Sequence, residues 1–177
     1  MIRVSVVLLI LPLLACEPGS ADRSTTSVAH GLAEQGDTPR LLKALSDQGS
    51  VDPRDACYRT PLMLAAQFGH LDTVKELLAA DARVDLHEKG YYTALMLAAG
   101  NGHTEVVRTL AAAGANIDEV EITRGWTALI WAAKRGHRDT VALLLQLGAE
   151  RGHVDDRGRT ARDWALAEEH PQIVALF

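Results

Sequence analysis

Aromatic side chains are scarce in this sequence: three Trp, three Tyr and two Phe in 177 residues. So few rings disfavour a β-sandwich core and leave alanine and leucine, good helix formers, to fill the interior. Cysteine is scarcer still, with only Cys16 and Cys57 and no Cys-x-x-Cys pair. No basic tract is present, and the formal net charge of −5 speaks against nucleic-acid binding. Gly-x-Ser-x-Gly, His-Glu-x-x-His and phosphate-loop glycine motifs are missing, so catalysis has no residue-level support. The acidic pairs Asp155-Asp156 and Glu168-Glu169 are neighbours in sequence rather than groups facing across a cleft, and are expected on solvated surface. No cofactor and no metal are expected.

Long hydrophobic runs are also lacking, with one exception at the start. Residues 1–16 read MIRVSVVLLILPLLAC, with Arg3 as a short positive region and Val4–Leu14 as an apolar stretch of 11 residues. A membrane span needs roughly 20 residues, so this segment reads as a signal peptide over residues 1–15. Its end, Leu13-Leu14-Ala15-Cys16, resembles a bacterial lipoprotein lipobox. That resemblance implies cleavage before Cys16, lipidation of Cys16, a periplasmic location and attachment to membrane through the lipid anchor only. Glu17, where aspartate would signal retention at the inner membrane, favours the outer membrane. Residues 16–27 are small, polar and Pro/Gly-bearing, as suits a flexible tether. With Cys16 lipidated, Cys57 is left without a partner in the chain and is expected to be either a buried inert thiol or an exposed reactive one.

The remainder, 28–177, is periodic. TPLMLAAQFGH begins at 60, TALMLAAGNGH at 93, TALIWAAKRGH at 127 and TARDWALAEEH at 160, spaced by 33, 34 and 33 residues. Thr60, Thr93, Thr127 and Thr160 are in phase, as are His70, His103, His137 and His170. A second apolar helix follows each histidine, and a weaker unit over 28–52 precedes the first threonine. The threonines are placed to cap helices, with Pro61 at a first helical position. Gly69, Gly102 and Gly136 end helices where a left-handed residue is needed. Alanine pairs at 65–66, 98–99 and 132–133 allow close approach of a neighbouring helix. No unit can bury its apolar stripe alone, so the units must stack.

This pattern resembles the ankyrin repeat. The resemblance implies an all-α solenoid of about five units (28–57, 58–90, 91–124, 125–157 and 158–177) and a non-catalytic role in binding another protein, as a monomer. Met63, Met96, Ile130 and Asp163 stand where the family has histidine, and Asp81 replaces a helix-ending glycine. The phased histidines, expected about 8–10 Å apart on stacked helices, cannot share one metal ion; each is expected to fasten its own repeat. Hairpin shape is in doubt before Thr93 and before Trp126, where the loop carries one extra residue.

By the same resemblance, partner contacts fall just before each threonine and just after each alanine pair. These positions hold Arg59, Tyr92, Trp126, Arg159, Phe68, Lys134 and Arg135, with Tyr91 and Arg124 as hairpin neighbours. Tyr91, Tyr92 and Trp126 cluster aromatic groups on two adjacent tips, flanked by a cationic edge. Such residues dominate interface energetics, and the matching partner presents an apolar knob with acidic groups. Two roles fit the resemblance: an accessory or protective factor for an oxidative-stress enzyme such as catalase, or an immunity protein that neutralises a secreted antibacterial effector. An enzyme is the alternative from another class.

Overall fold

Threonine or aspartate caps five of the ten described helices, and left-handed residues follow most of them. The computed structural model describes residues 26–177, with side chains from 28 onward. The expected signal peptide, Cys16 and nearly all of the tether lie outside the described residues. Five helix pairs follow one another: α1 (Thr26–Gln35) with α2 (Thr38–Gln48), α3 (Pro61–Gln67) with α4 (Leu71–Ala79), α5 (Ala94–Gly100) with α6 (Thr104–Ala112), α7 (Ala128–Lys134) with α8 (Arg138–Gln146), and α9 (Ala161–Ala167) with α10 (Pro171–Val174). The odd-numbered helices pack one on the next in one layer and the even-numbered ones in a second. The fold is therefore an all-α stack, and a single antiparallel bridge, His87 to Thr93, is the only β pairing among the described residues.

Local chemistry explains the odd-numbered helices. The Thr60, Thr93, Thr127 and Thr160 hydroxyls accept the backbone N–H groups of Met63, Met96, Ile130 and Asp163. Each satisfies one of the orphan donors of a helix start. Asp163 accepts in return from the Thr160 backbone N–H at 2.9 Å, so its departure from histidine makes a capping box. Met63, Met96 and Ile130 are buried. The alanine pairs are fully buried, where a larger side chain would force the layers apart. On the even-numbered helices Val74/Leu77, Val107/Leu110 and Val141/Leu144 supply the apolar stripe.

The histidines do not fasten their own repeat, as their spacing suggested; each fastens its repeat to the preceding one. Nε2–H of His70 donates to the Glu34 carbonyl (2.7 Å), His103 to Gln67 (3.0 Å), His137 to Gly100 (3.0 Å) and His170 to Lys134 (3.3 Å). All four carbonyls lie in the last turn of an odd-numbered helix, where intrahelical donors run out. Desolvation holds His137 below the usual imidazole pKa, against the opposing effect of its bond to Gly100.

The same rings lie against the left-handed glycines. A Cβ on Gly69 (φ +77°) would sit 2.6 Å from the His103 ring. Gly114 (φ +91°), after α6, faces open space. Asp81 occupies a helix end in the left-handed region at φ +64°, as expected of its glycine-like position. Gly114→Ala is predicted to lose about 1 kcal/mol for its backbone conformation alone. Gly69→Ala is predicted to lose at least about 1 kcal/mol more, because the ring must also move. Urea unfolding of the two variants measures the difference.

Candidate functional site

Four hairpin tips precede the capped threonines, and each is built on an acidic side chain turned inward. In the first, Asp55 Oδ1 accepts the N–H groups of Cys57 (2.8 Å) and Arg59 (2.9 Å). In the second, Glu88 accepts those of Gly90 (2.6 Å) and Tyr92 (3.3 Å). In the third, Glu121 accepts from the Thr123 N–H and hydroxyl and from the Trp126 N–H. In the fourth, Asp155 accepts from the N–H groups of Arg157 and Arg159, both 2.9 Å away. The backbone closes alike in all four: Asp55 to Arg59, Glu88 to Tyr92, Glu121 to Trp126 and Asp155 to Arg159, each N–H to carbonyl. Both doubtful hairpins thus form, the extra residue of the third being absorbed inside its turn. Adjacent tips are tied by Lys89 N–H to the Cys57 carbonyl, Ile122 to Gly90 and Asp156 to Arg124.

Asp155 is not on solvated surface, as its place beside Asp156 suggested; it is 5% exposed. Its Oδ2 accepts both Trp126 Nε1–H (2.9 Å) and Trp164 Nε1–H (2.8 Å). Burial alone would raise the carboxyl pKa, but the four hydrogen bonds outweigh it and hold the group below its usual value. Asp155 thereby sets two of the three indoles. Trp126 meets Trp131 and Trp164 edge-on at centroid distances of 4.7 and 5.1 Å, and Tyr92 meets Trp131 at 5.8 Å.

This packing corrects the expectation for the two aromatic residues that precede their threonines. Trp126 and Tyr92 are 5% and 6% exposed, so they form the floor of the surface rather than its contact groups. The Tyr92 hydroxyl lies 3.1 Å from Thr123 Oγ1, and desolvation raises its pKa. The cations are what sit above that floor. The Arg124 guanidinium lies 5.0 Å from the Trp126 ring centre and donates to the Tyr92 hydroxyl. Arg135 lies 5.0 Å from the Trp131 ring centre and donates to the Gly100 carbonyl at 3.0 Å. Desolvation there lowers its pKa. Lys134 and Arg159 flank Trp164 at 4.9 and 4.8 Å, and Lys134 also pairs with Glu168.

Six of the nine expected contact residues, Tyr92, Arg124, Trp126, Lys134, Arg135 and Arg159, therefore come together around three indoles. The other three lie apart. Arg59 pairs with Asp55 of its own tip at 2.7 Å. Phe68 is exposed and stacks at 6.4 Å on His70, and Tyr91 is exposed and stacks at 4.0 Å on His87. Trp131, in phase with Leu64 and Leu97, is buried. Cys57 is buried and disulfide-bonded, so neither free-thiol state foreseen for it is observed. The inward acids were missed, although a signal existed: Asp55, Glu88 and Asp155 all precede their threonine by five residues, and Glu121 by six.

Stacked helix pairs joined by projecting hairpins define a helical-repeat solenoid. A family model described as ankyrin repeats (3 copies) matches residues 29–121 and again 114–177, and the chain belongs to that family. No curated protein matches the chain. Ankyrin repeats are protein-interaction modules.

Asp155→Ala is predicted to destabilise the protein by about 3 kcal/mol or more, since it leaves two buried indole N–H groups and two backbone N–H groups without their acceptor. Asp155→Asn keeps part of the acceptor set and should lose less. Chemical denaturation, followed through tryptophan fluorescence, checks the order.

Proposed function

We propose that this protein is a non-catalytic binding module of the bacterial periplasm, tethered through a lipid on Cys16, that holds a partner protein against its tip row and odd-numbered helices. The observation that carries the binding face is the set Arg124, Lys134, Arg135 and Arg159, four cations stacked on indole faces in a chain of net charge −5. Stacking restricts these long side chains before any partner arrives, which lowers the entropy lost on association. A surface of that charge favours carboxylates on the partner and faster encounter with it. On the ankyrin resemblance, the role is that of accessory or protective factor to an oxidative-stress enzyme such as catalase. Capture of a secreted antibacterial effector would instead mark an immunity protein.

Crosslinked capture from membranes tests the face. Arg124→Gln/Arg135→Gln leaves the buried indoles in place, and recovery of the partner is predicted to fall roughly tenfold or more relative to wild type. Equal recovery of the same partner would remove this surface from the binding reaction.

The anchor has a separate test. Metabolic labelling with a fatty acid should mark the wild type and fail in Cys16→Ser. Labelling that persists in Cys16→Ser rejects the lipid anchor.

A further inference from the structure

The four tips close through equivalent backbone bonds, the third around one extra residue, so the residue that turns each tip can be matched. The N–H groups of Tyr58, Tyr91 and Gly158 bond to the carbonyls of Asp55, Glu88 and Asp155, and that of Gly125 to Glu121. All four residues are left-handed, with φ of +63°, +66°, +71° and +72° for Tyr58, Tyr91, Gly158 and Gly125. The last two tips use glycine there; the first two use tyrosine. A bulky residue in this conformation is unfavourable by an amount that glycine avoids. Burial does not compensate, because Tyr58 is 50% and Tyr91 41% exposed.

The rings are not randomly surrounded. The cations Arg54 and Lys89 lie 5.6 and 5.4 Å from the Tyr58 ring centre, and neither takes part in an ion pair among the described residues. His87 stacks on Tyr91. The acids of these tips are committed inward: Asp55 to backbone N–H groups and Arg59, and Glu88 to backbone N–H groups. The outer surface of the first two tips thus shows two tyrosine rings and two unpaired cations, with its carboxylates turned away.

We propose that Tyr58 and Tyr91, with Arg54 and Lys89, form a contact site that takes an acidic segment of a partner protein, and that the fold gives up stability to present it. Carboxylates of the segment meet the two cations, and its apolar side chains lie on the rings. Tyr and Arg suit this use because they offer large contact areas and planar donors. The site rests on the tip row being the binding face, and it extends that face beyond the indole cluster to the first two tips.

The test has two arms on the full chain. In the first, Tyr58→Gly/Tyr91→Gly and Tyr58→Asn/Tyr91→Asn are melted beside the wild type; both replacement residues tolerate the left-handed region. The glycine variant is expected to melt about 3 °C or more above the wild type, with the asparagine variant also above it. If both variants melt below the wild type, the tyrosines serve the fold and the proposal falls.

In the second arm, the tyrosine ring resonances are followed by NMR while acetyl-Glu-Leu-Glu-Leu-Glu-amide is added, and separately its Gln-for-Glu counterpart. Saturable shifts of the Tyr58 and Tyr91 rings with the acidic peptide alone, weakened by added salt, are expected. Equal shifts with the neutral peptide, or none with either, overturn the assignment. This arm needs no captured partner, so it can fail while Arg124→Gln/Arg135→Gln still abolishes capture, and it can succeed if that variant does not.

Discussion

A helix ends with carbonyls that its own backbone cannot satisfy, and the rest of this architecture follows from where those carbonyls find donors. In the first four helix pairs the donor comes from the next pair, as a histidine Nε2–H directed at the last turn of the preceding odd-numbered helix. The ring can reach that carbonyl because the chain turns there through a glycine with no Cβ to obstruct it. Cap, turn and inter-repeat bond are thus one device, repeated along the stack. It ties stability to neighbours rather than to any single pair, which is the general condition of a solenoid.

Most of this scaffold is legible in the amino-acid sequence because its causes are local. Threonine caps, the alanine pairs and the glycines act within one helical hairpin, and each recurs at a fixed spacing. What the sequence concealed depends on groups brought together from different repeats. Trp126 precedes a threonine as Arg59 and Arg159 do, and nothing in its own hairpin announces that Trp131, Trp164 and Asp155 enclose it. The tip acids were hidden for a different reason. An aspartate or glutamate in a polar loop looks like solvated charge, and only the backbone N–H groups curling around it reveal an interior role. The histidine spacing points to a structural role, but spacing alone cannot tell an intra-repeat bond from an inter-repeat one.

Around the indoles the expected contact residues divide by role. Aromatic residues supply the rigid floor, and the exposed arginines lie above them with the half-buried Lys134. An indole face both attracts a guanidinium and limits its rotamers, so the cations are held in place by the same rings that fill the core. The buried Asp155 orients two of those rings, which couples a core carboxylate to the geometry of surface cations two layers of packing away.

The first two tips break the rule that the last two obey. Where local backbone preference, burial and packing agree, a residue needs no explanation beyond the fold. At Tyr58 and Tyr91 they disagree: the backbone prefers glycine, the ring is exposed, and the closing bonds of the hairpin are the ones that glycine supports elsewhere in the same chain. Sibling repeats provide an internal control that a non-repetitive protein lacks, since an equivalent closure is built four times, once around an extra residue, with two answers. The difference between those answers is a ring on the surface, and a ring on the surface matters to what the surface meets.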